Sequence, residues 1–373
     1  MAASAQSAPT RIARLREVMA GQGIDLVALA PGAHMHWILG WHPHPDERPT
    51  LLLVGREAAS VLVPSVNSED FRAQIARAGA DLPCFPWRDE DGPVAALDEA
   101  LAACGAKPGC TLSLDETARA DAALTLLRAL RLSDCRFAGE TVGALRARKD
   151  EGEIAALRRS AAVADAALEA GFAAMRPGMT EREVARVIRE TFAANGVSTS
   201  FTLVASGPNG AYPHHATGDR RIEEGDAIVI DLGGALHHFA SDMTRMAVIG
   251  EGPEGYDAVH AVVEEAVQAA MAAARPGVPA KAVDDAARGV IARAGYGEYF
   301  VHRTGHGLGL EVHEPPYLTA TSETILEAGM VFSIEPGIYL PGRFGIRLED
   351  IVVLEEAEPR VLSALPRTAR RIG

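Results

Sequence analysis

The chain has 373 residues, 48% hydrophobic and 23% charged, the balance of a globular protein long enough for two domains. Its formal charge of −14 argues against a nucleic-acid partner, which would need clustered Lys and Arg, and the acidity is read as solubility. No apolar run approaches the length of a membrane span, so no membrane partner is expected.

The opening stretch MAASAQSAPTRIARLR lacks the apolar core of a secretory signal. The four cysteines, Cys84, Cys104, Cys110 and Cys135, form no CxxC pair. They read as reduced structural thiols, which predicts a cytoplasmic protein with no thiol nucleophile.

Residues 10–20 predict a helix with Ile12, Leu15, Val18 and Met19 on one face. Residues 25–30 predict a buried strand, stopped by Pro31 and Gly32. Residues 50–54 and 60–64 are further strand-type runs. Helices are expected over 94–103 and 118–130, with a strand at 111–114 between them. This alternation predicts an α/β domain over residues 1–145. It holds no phosphate-binding Gly loop. Trp37 and the segment WHPHPDERP (41–49) are its only distinctive chemistry; His42 and His44 are read as parts of a turn rich in proline and charge.

The polar stretch 140–153 is expected to carry the chain into a second domain, 146–373, which begins with a long helix over 150–175. That domain repeats itself. AAMRPGMTEREVARVI starts at Ala173 and AAARPGVPAKAVDDAARGVI at Ala272, each a helix end, Arg-Pro-Gly, then an amphipathic helix. Pro and Gly stop the first helix, and Thr180 with Glu183 forms a capping box for the next. Downstream, IEEGDAIVID (222–231) matches LEAGMVFSIE (326–335), a Gly turn and an apolar strand ending in a carboxylate, Asp231 or Glu335. A further acid follows each: Asp242 in SDMTR and Glu349 in IRLED. The domain is therefore expected to be two related α/β halves.

Buried carboxylates are costly unless paired or on a metal, and four converging ones repel one another without a cation. Their equivalent placement in both halves argues against four unrelated surface acids. With one histidine they suit a pair of divalent ions roughly 3.5 Å apart, bridged by carboxylates and a water. Oxygen-rich ligation favours Mn2+, with Fe2+, Co2+ or Zn2+ also admissible. A water between two cations loses its proton near neutral pH, so the expected reaction is hydrolysis of a polarised carbonyl or phosphoryl group.

Three histidines, His302, His306 and His313, fall within YFVHRTGHGLGLEVHEPP (299–316). Glycine lets backbone approach a ligand, and histidine serves as metal ligand or proton carrier. Those not ligating an ion would donate to a developing oxyanion. His214 and His215, in AYPHHATGDR, either reach the same cavity or belong to a solvated loop. Arg347 lies two residues before Glu349, a spacing that on a strand would put both side chains on one face. It would either hold the carboxylates in place or meet an anionic substrate end.

The motifs PHHATGDR, VIDLGG with SDMTR, HRTGHGLGLEVHE, SIEPGIY and GIRLED, in this order, resemble the pita-bread metallopeptidase family of Xaa-Pro aminopeptidases, prolidases and methionine aminopeptidases. The preceding domain resembles the creatinase-type N-terminal domain of the proline-specific branch. The resemblance covers nearly the whole chain. It implies an α/β N-terminal domain followed by an α+β pita-bread domain with an internal pseudo-two-fold duplication. It also implies a homodimer.

By the same resemblance Asp231 binds one ion, Asp242 and Glu349 bridge both, and His306 and Glu335 complete the second. Glu335 is also the general base. His313 and His214 contact the scissile carbonyl and leaving amine, and His302 lines the proline-side pocket; Arg347, from its spacing alone, stands beside His302 as a substrate-binding candidate. The implied activity is metal-dependent hydrolysis of the Xaa-Pro bond of short peptides by a metal-bridged hydroxide. That bond is a tertiary amide without an N–H, so peptidases that grip the N–H cannot use it. The alternative is a non-peptidase of the same fold acting on a small molecule, of the ectoine hydrolase, creatinase or dimethylsulfoniopropionate lyase type. Creatinase works without metal, and the intact ligand set counts against it and against a catalytically dead binding module.

Overall fold

Six short apolar runs in the first part of the chain form one sheet. They are β1 (Leu26–Leu29), β2 (Leu51–Gly55), β3 (Ala59–Pro64), β4 (Cys84–Trp87), β5 (Leu112–Leu114) and β6 (Arg136–Phe137), in the order β4-β3-β2-β1-β5-β6. The β1–β2 and β2–β3 pairs are antiparallel, and the β3–β4, β1–β5 and β5–β6 pairs are parallel. β1, β2 and β3 are buried along their whole length, which is why they read as unbroken apolar runs rather than alternating ones. The helices are α1 (Ala8–Gln22), α2 (Ala33–Leu39), α3 (Ser68–Arg77), α4 (Val94–Ala103), α5 (Ala120–Leu130) and α6 (Val142–Ala147). This is a computed structural model describing residues 7–373, and the chain divides into two compact units between Arg146 and Ala147.

The sequence patterns anticipate neither α2, α3, β4 nor β6, and the stretch after residue 140 departs from expectation as well. α2 follows Pro31 and Gly32 directly, and its residues from His34 to Leu39 are all buried. Burial on every side leaves no amphipathic period to read. The polar stretch after residue 140 is largely helical, because its charges find buried partners: the Arg146 guanidinium lies 3.0 Å from Nδ1 of His34. The 41–49 segment has no regular structure, as expected.

The second unit opens with α7 (Glu151–Ala174), capped by a reciprocal Asp150–Glu153 box, then α8 (Glu181–Ala194), capped by the expected Thr180–Glu183 box. Next come β7 (Ser198–Ser206), β8 (Ala227–Leu236) and β9 (Phe239–Ile249), then α9 (Tyr256–Ala273) and α10 (Lys281–Arg293). The remainder is β10 (Gly305–Gly307), β11 (Glu314–Leu318), β12 (Val331–Ile334), β13 (Gly337–Leu340), β14 (Phe344–Arg347), β15 (Asp350–Leu354), β16 (Pro359–Val361) and β17 (Arg370–Ile372). One sheet has the order β17-β9-β8-β7, another β11-β10-β12-β15-β16, and β13 pairs with β14 alone.

The duplication is visible in the backbone. Gly178 and Gly277, the glycines of the two Arg-Pro-Gly turns, share a left-handed φ of 88° that other residues rarely adopt. Gly178 donates to the carbonyl of Ile222 and Gly277 to that of Leu326, both at 2.8 Å. Each turn thereby clips a helix pair to the start of its carboxylate strand. On β8, Ile228, Ile230 and Leu232 pack with α7 and α8, while Ala227 and Val229 pack into the core shared with α9 and α10. This two-residue alternation puts Asp231 on the face turned to the second half. The expected α/β and α+β architecture with an internal duplication is the observed one.

Candidate metal centre and active site

The first two carboxylates stand on neighbouring strands. Asp231 pairs with Thr244, and Gly233 with Asp242, so both acids lie on one face of the β8–β9 ribbon. Asp231 is in the middle of β8, not at its end as the sequence suggested; the strand runs on through Gly233 and Gly234, whose missing side chains hid its continuation. Glu335 does follow its strand directly, and Glu349 occupies the break between β14 and β15.

His306 joins them from β10. A Cβ on Gly305 would lie 1.9 Å from the Ser333 carbonyl oxygen, and one on Gly307 would lie 2.3 Å from that of Pro315. Only glycine therefore lets this short strand sit between β11 and β12. Nδ1 of His306 donates to the Gly307 carbonyl at 3.1 Å, which turns Nε2 toward the acids. Nε2 lies 3.2 Å from Oε1 of Glu335 and 3.6 Å from Oδ2 of Asp242.

Three sets of ligand atoms result, each within 4.8 Å: Asp231, Asp242 and Glu349; His306, Glu335 and Glu349; and Asp242, His306 and His313. The electrostatics show what this concentration of charge costs. Burial, then repulsion from Glu349, Asp231 and Glu335, pushes the Asp242 carboxyl well above its ordinary range. Burial and repulsion from Glu335 and Asp231 do the same to Glu349. Burial acts on Glu335 too, but the hydrogen bond and charge of His306 outweigh it and bring that carboxyl down to about 2. Oδ1 of Asp231 is buried with no hydrogen-bond partner. An orphaned carboxylate oxygen among three more carboxylates and one imidazole fits a divalent cation with a preference for oxygen ligands.

The other expected residues line the same cavity, of about 730 Å³: His214, His215, His302, His313 and Arg347. The ring of His313 stands edge-on to that of His306, with centroids 4.2 Å apart. Burial, with His306 and Arg303 nearby, lowers its pKa to about 4, so it is neutral at pH 7. His214 is exposed to the cavity. His215, whose fate the sequence left open, reaches the cavity but is held through Nε2 by Oε2 of Glu181 at 2.9 Å.

Both nitrogens of His302 are occupied, Nδ1 by the Arg303 carbonyl and Nε2 by the Tyr339 hydroxyl, each at 2.7 Å. It therefore offers the cavity a ring surface, and burial lowers its pKa. Arg347 directs every guanidinium nitrogen at protein atoms. Nε donates to Oγ1 of Thr244 at 3.0 Å, Nη1 to the Tyr339 hydroxyl at 2.8 Å and the Pro213 carbonyl at 3.2 Å, and Nη2 to Asp231 at 2.5 Å. Of the two roles the sequence allowed, this geometry favours holding carboxylates over meeting substrate.

Three contributors are invisible to pattern reading. Thr244 donates to Oε2 of Glu349 at 2.8 Å, and Ser333 donates to Oε1 of Glu335 at 3.0 Å. Burial pushes the Tyr339 hydroxyl up to about 12, so it stays a neutral link between Arg347 and His302. In sequence each is an ordinary strand residue. The hints lie in the motifs that contain them, SDMTR for Thr244 and SIEPGIY for Ser333 and Tyr339.

Comparison with known proteins agrees with this geometry. The model of metallopeptidase family M24 matches residues 155–356, and that of the creatinase/prolidase N-terminal domain matches residues 11–147. A probable dipeptidase PepE of Mycobacterium tuberculosis is 39% identical over 354 residues, covering 93% of this chain and 92% of the relative. An Xaa-Pro dipeptidase of Pyrococcus horikoshii is 33% identical, covering 96% and 97%. Among solved structures, dipeptidase PepE from Mycobacterium ulcerans superposes with a TM-score of 0.92 at 35% identity over 98% of both chains. A recombinant prolidase from Thermococcus sibiricus superposes with a TM-score of 0.90 at 32% identity, covering 99% and 100%. With a creatinase/prolidase domain ahead of a carboxylate-rich catalytic domain, the chain belongs to metallopeptidase family M24 and is a peptidase of a family that works with divalent metal ions.

Proposed function

We propose that this protein is an Xaa-Pro dipeptidase using two divalent ions, Mn2+ foremost. The observation that carries the reading is the pair of ligand sets sharing Glu349, one of them including Asp231, whose Oδ1 is buried with no hydrogen-bond partner. Asp231, Asp242 and Glu349 would hold one ion, and Asp242, His306, Glu335 and Glu349 the other. When bound, such ions polarise a carbonyl and acidify a water. The relatives named as Xaa-Pro dipeptidase and prolidase support the choice of substrate.

The chain's own groups supply the remaining chemistry. Glu335 takes the proton from the attacking water and returns it toward the leaving amine. Neutral His313 donates its N–H to the developing oxyanion, and His214 settles the leaving nitrogen. The ring of His302, with Phe201 and Leu203 on the cavity wall, offers an apolar surface of the kind a proline ring needs. Residues 146–373 form the catalytic domain in this reading and residues 1–145 the creatinase-like one. The protein acts as a homodimer in the cytoplasm, a setting that suits its four free cysteines. Among the described residues no helix is long and apolar enough to cross a membrane.

The test is a hydrolysis screen on metal-stripped protein reloaded with Mn2+, Co2+ or Zn2+. Xaa-Pro dipeptides are expected to be cleaved faster than Xaa-Pro tripeptides. Turnover of creatine or ectoine without turnover of peptides would rule the reading out.

A further inference from the structure

Glu181 begins α8, a position where a carboxylate ordinarily faces water, yet its exposure is 0%. A buried carboxylate is costly unless its oxygens are saturated with donors. Here they are. Oε1 accepts from the Ser206 N–H and Oγ–H, each at 2.8 Å, and from Nδ2 of Asn209 at 2.9 Å. Oε2 accepts from Nε2 of His215 at 2.9 Å and from the Gly218 N–H at 3.0 Å. Burial pushes the carboxyl up, but these donors outweigh it and hold it below its ordinary range.

Ser206 and Gly218 are the two ends of the loop that carries Pro213, His214 and His215 to the cavity. One carboxylate thus closes the loop at both ends and also holds its middle through His215. Arg347 grips the same loop one residue before His214, at the Pro213 carbonyl. His214 hangs between these two anchors, and its own ring makes no hydrogen bond to the described residues.

We propose that Glu181 is a positioning residue for His214: its buried carboxylate clamps the 206–218 loop so that the imidazole is presented to the cavity. The assignment rests on the peptidase reading, which gives His214 its part in the reaction. A group that only stabilised the fold would lower the melting temperature and leave the rates of the folded enzyme alone. A positioning group has another signature: its effect vanishes once the residue it positions is gone.

The experiment is a double-mutant cycle on the full Mn2+-loaded chain, with metal content and melting temperature measured for each variant. Glu181→Gln is expected to lower kcat/KM by about tenfold to a hundredfold. The Glu181→Gln/His214→Ala double variant should be no slower than His214→Ala alone, with ion content unchanged throughout. His215→Ala removes one donor and should lose activity; His215→Gln, whose amide still donates, should recover it. That pair carries the test if Glu181→Gln fails to fold. Additive losses in the cycle, or equal losses from both His215 variants, overturn the proposal. Amide exchange gives a readout independent of turnover. Residues 206–218 should exchange faster in Glu181→Gln and His215→Ala, while residues 300–313 stay as in wild type. If the wild type cleaves no Xaa-Pro peptide, the peptidase reading fails on its own. Unchanged exchange in the loop overturns the role of Glu181 separately.

Discussion

Nη2 of Arg347 lies 2.5 Å from Oδ2 of Asp231, joining residues 116 apart in sequence. Arg347 ends β14 and Asp231 sits in mid-β8, so the pair ties together the two halves of the duplication. The same guanidinium holds Thr244, which in turn donates to Glu349. One buried cation therefore orients a proposed metal ligand from each half. A lysine carries the charge but presents a point ammonium that cannot reach Asp231, Thr244 and Tyr339 together. Arg347→Lys is expected to weaken metal binding about 10–100-fold, read by equilibrium dialysis. Wild-type metal affinity in that variant would count against the role.

Glu335→Gln keeps the shape of the side chain and removes its ability to take a proton. At matched ion occupancy, kcat on an Xaa-Pro dipeptide should fall about 10²- to 10⁴-fold. Single-turnover kinetics with the metal content measured in parallel would separate this from loss of the ion. Full turnover by the variant would mean that another group carries the proton.

Four carboxylates converge on the cavity, and burial together with repulsion among them already pushes Asp242 and Glu349 upward. Bound cations should therefore stabilise the catalytic unit as well as activate it. Chelation is expected to abolish hydrolysis and lower the melting temperature. Readdition of Mn2+ should restore both, with about 2.7 kcal/mol of stabilisation when the free ion exceeds its Kd a hundredfold. A melting temperature indifferent to chelation would show that the acids are reconciled some other way.

Lys149 and Glu314 form an ion pair at 2.7 Å with both side chains 3% exposed. Glu314 follows His313 directly, so the pair fixes the base of that histidine's segment. Lys149→Met takes the ammonium from a buried carboxylate that keeps only weaker support, such as the Glu311 N–H at 3.4 Å. Lys149→Met should destabilise by about 3–5 kcal/mol, while Lys149→Met/Glu314→Leu should recover most of the loss. Urea denaturation checks this, and a double variant as unstable as the single would contradict it.

His260 gives stability a pH dependence away from the active site. Burial lowers its pKa below 6.5, although the Arg367 carbonyl and Glu264 oppose the shift. The unfolded state therefore binds a proton more readily as the pH falls. The contribution of neutral His260 is fully present above pH 6.5 and is lost as the pH drops through the lower folded value. Denaturation midpoints measured between pH 8 and 5 should fall on acidification, and His260→Leu should flatten that slope. An unchanged slope would assign the acid sensitivity to other groups.

Much of the fold was legible because local chemistry and global structure agree. The capping box of Thr180 and Glu183, the Arg-Pro-Gly turns and the apolar strands before Asp231 and Glu335 are local patterns. Where they misled, burial was the cause. α2 is covered on all sides and shows no helical period, and the glycines after Asp231 disguised the rest of β8. The sequence allows Arg347 two roles because its spacing to Glu349 says nothing of Asp231, Thr244 or Tyr339.

The sequence by itself determined the acids, the histidines and the repeat that relates them. These depend on residue type and on spacing within one strand or turn. Only the tertiary structure decided which atoms share the cavity, which histidines keep a free nitrogen, and which buried groups hold the others still. Those relations run between β8 and β14, or between α8 and a loop more than 20 residues away. Burial and hydrogen bonding across such distances depend on how whole elements pack, and no local pattern encodes them.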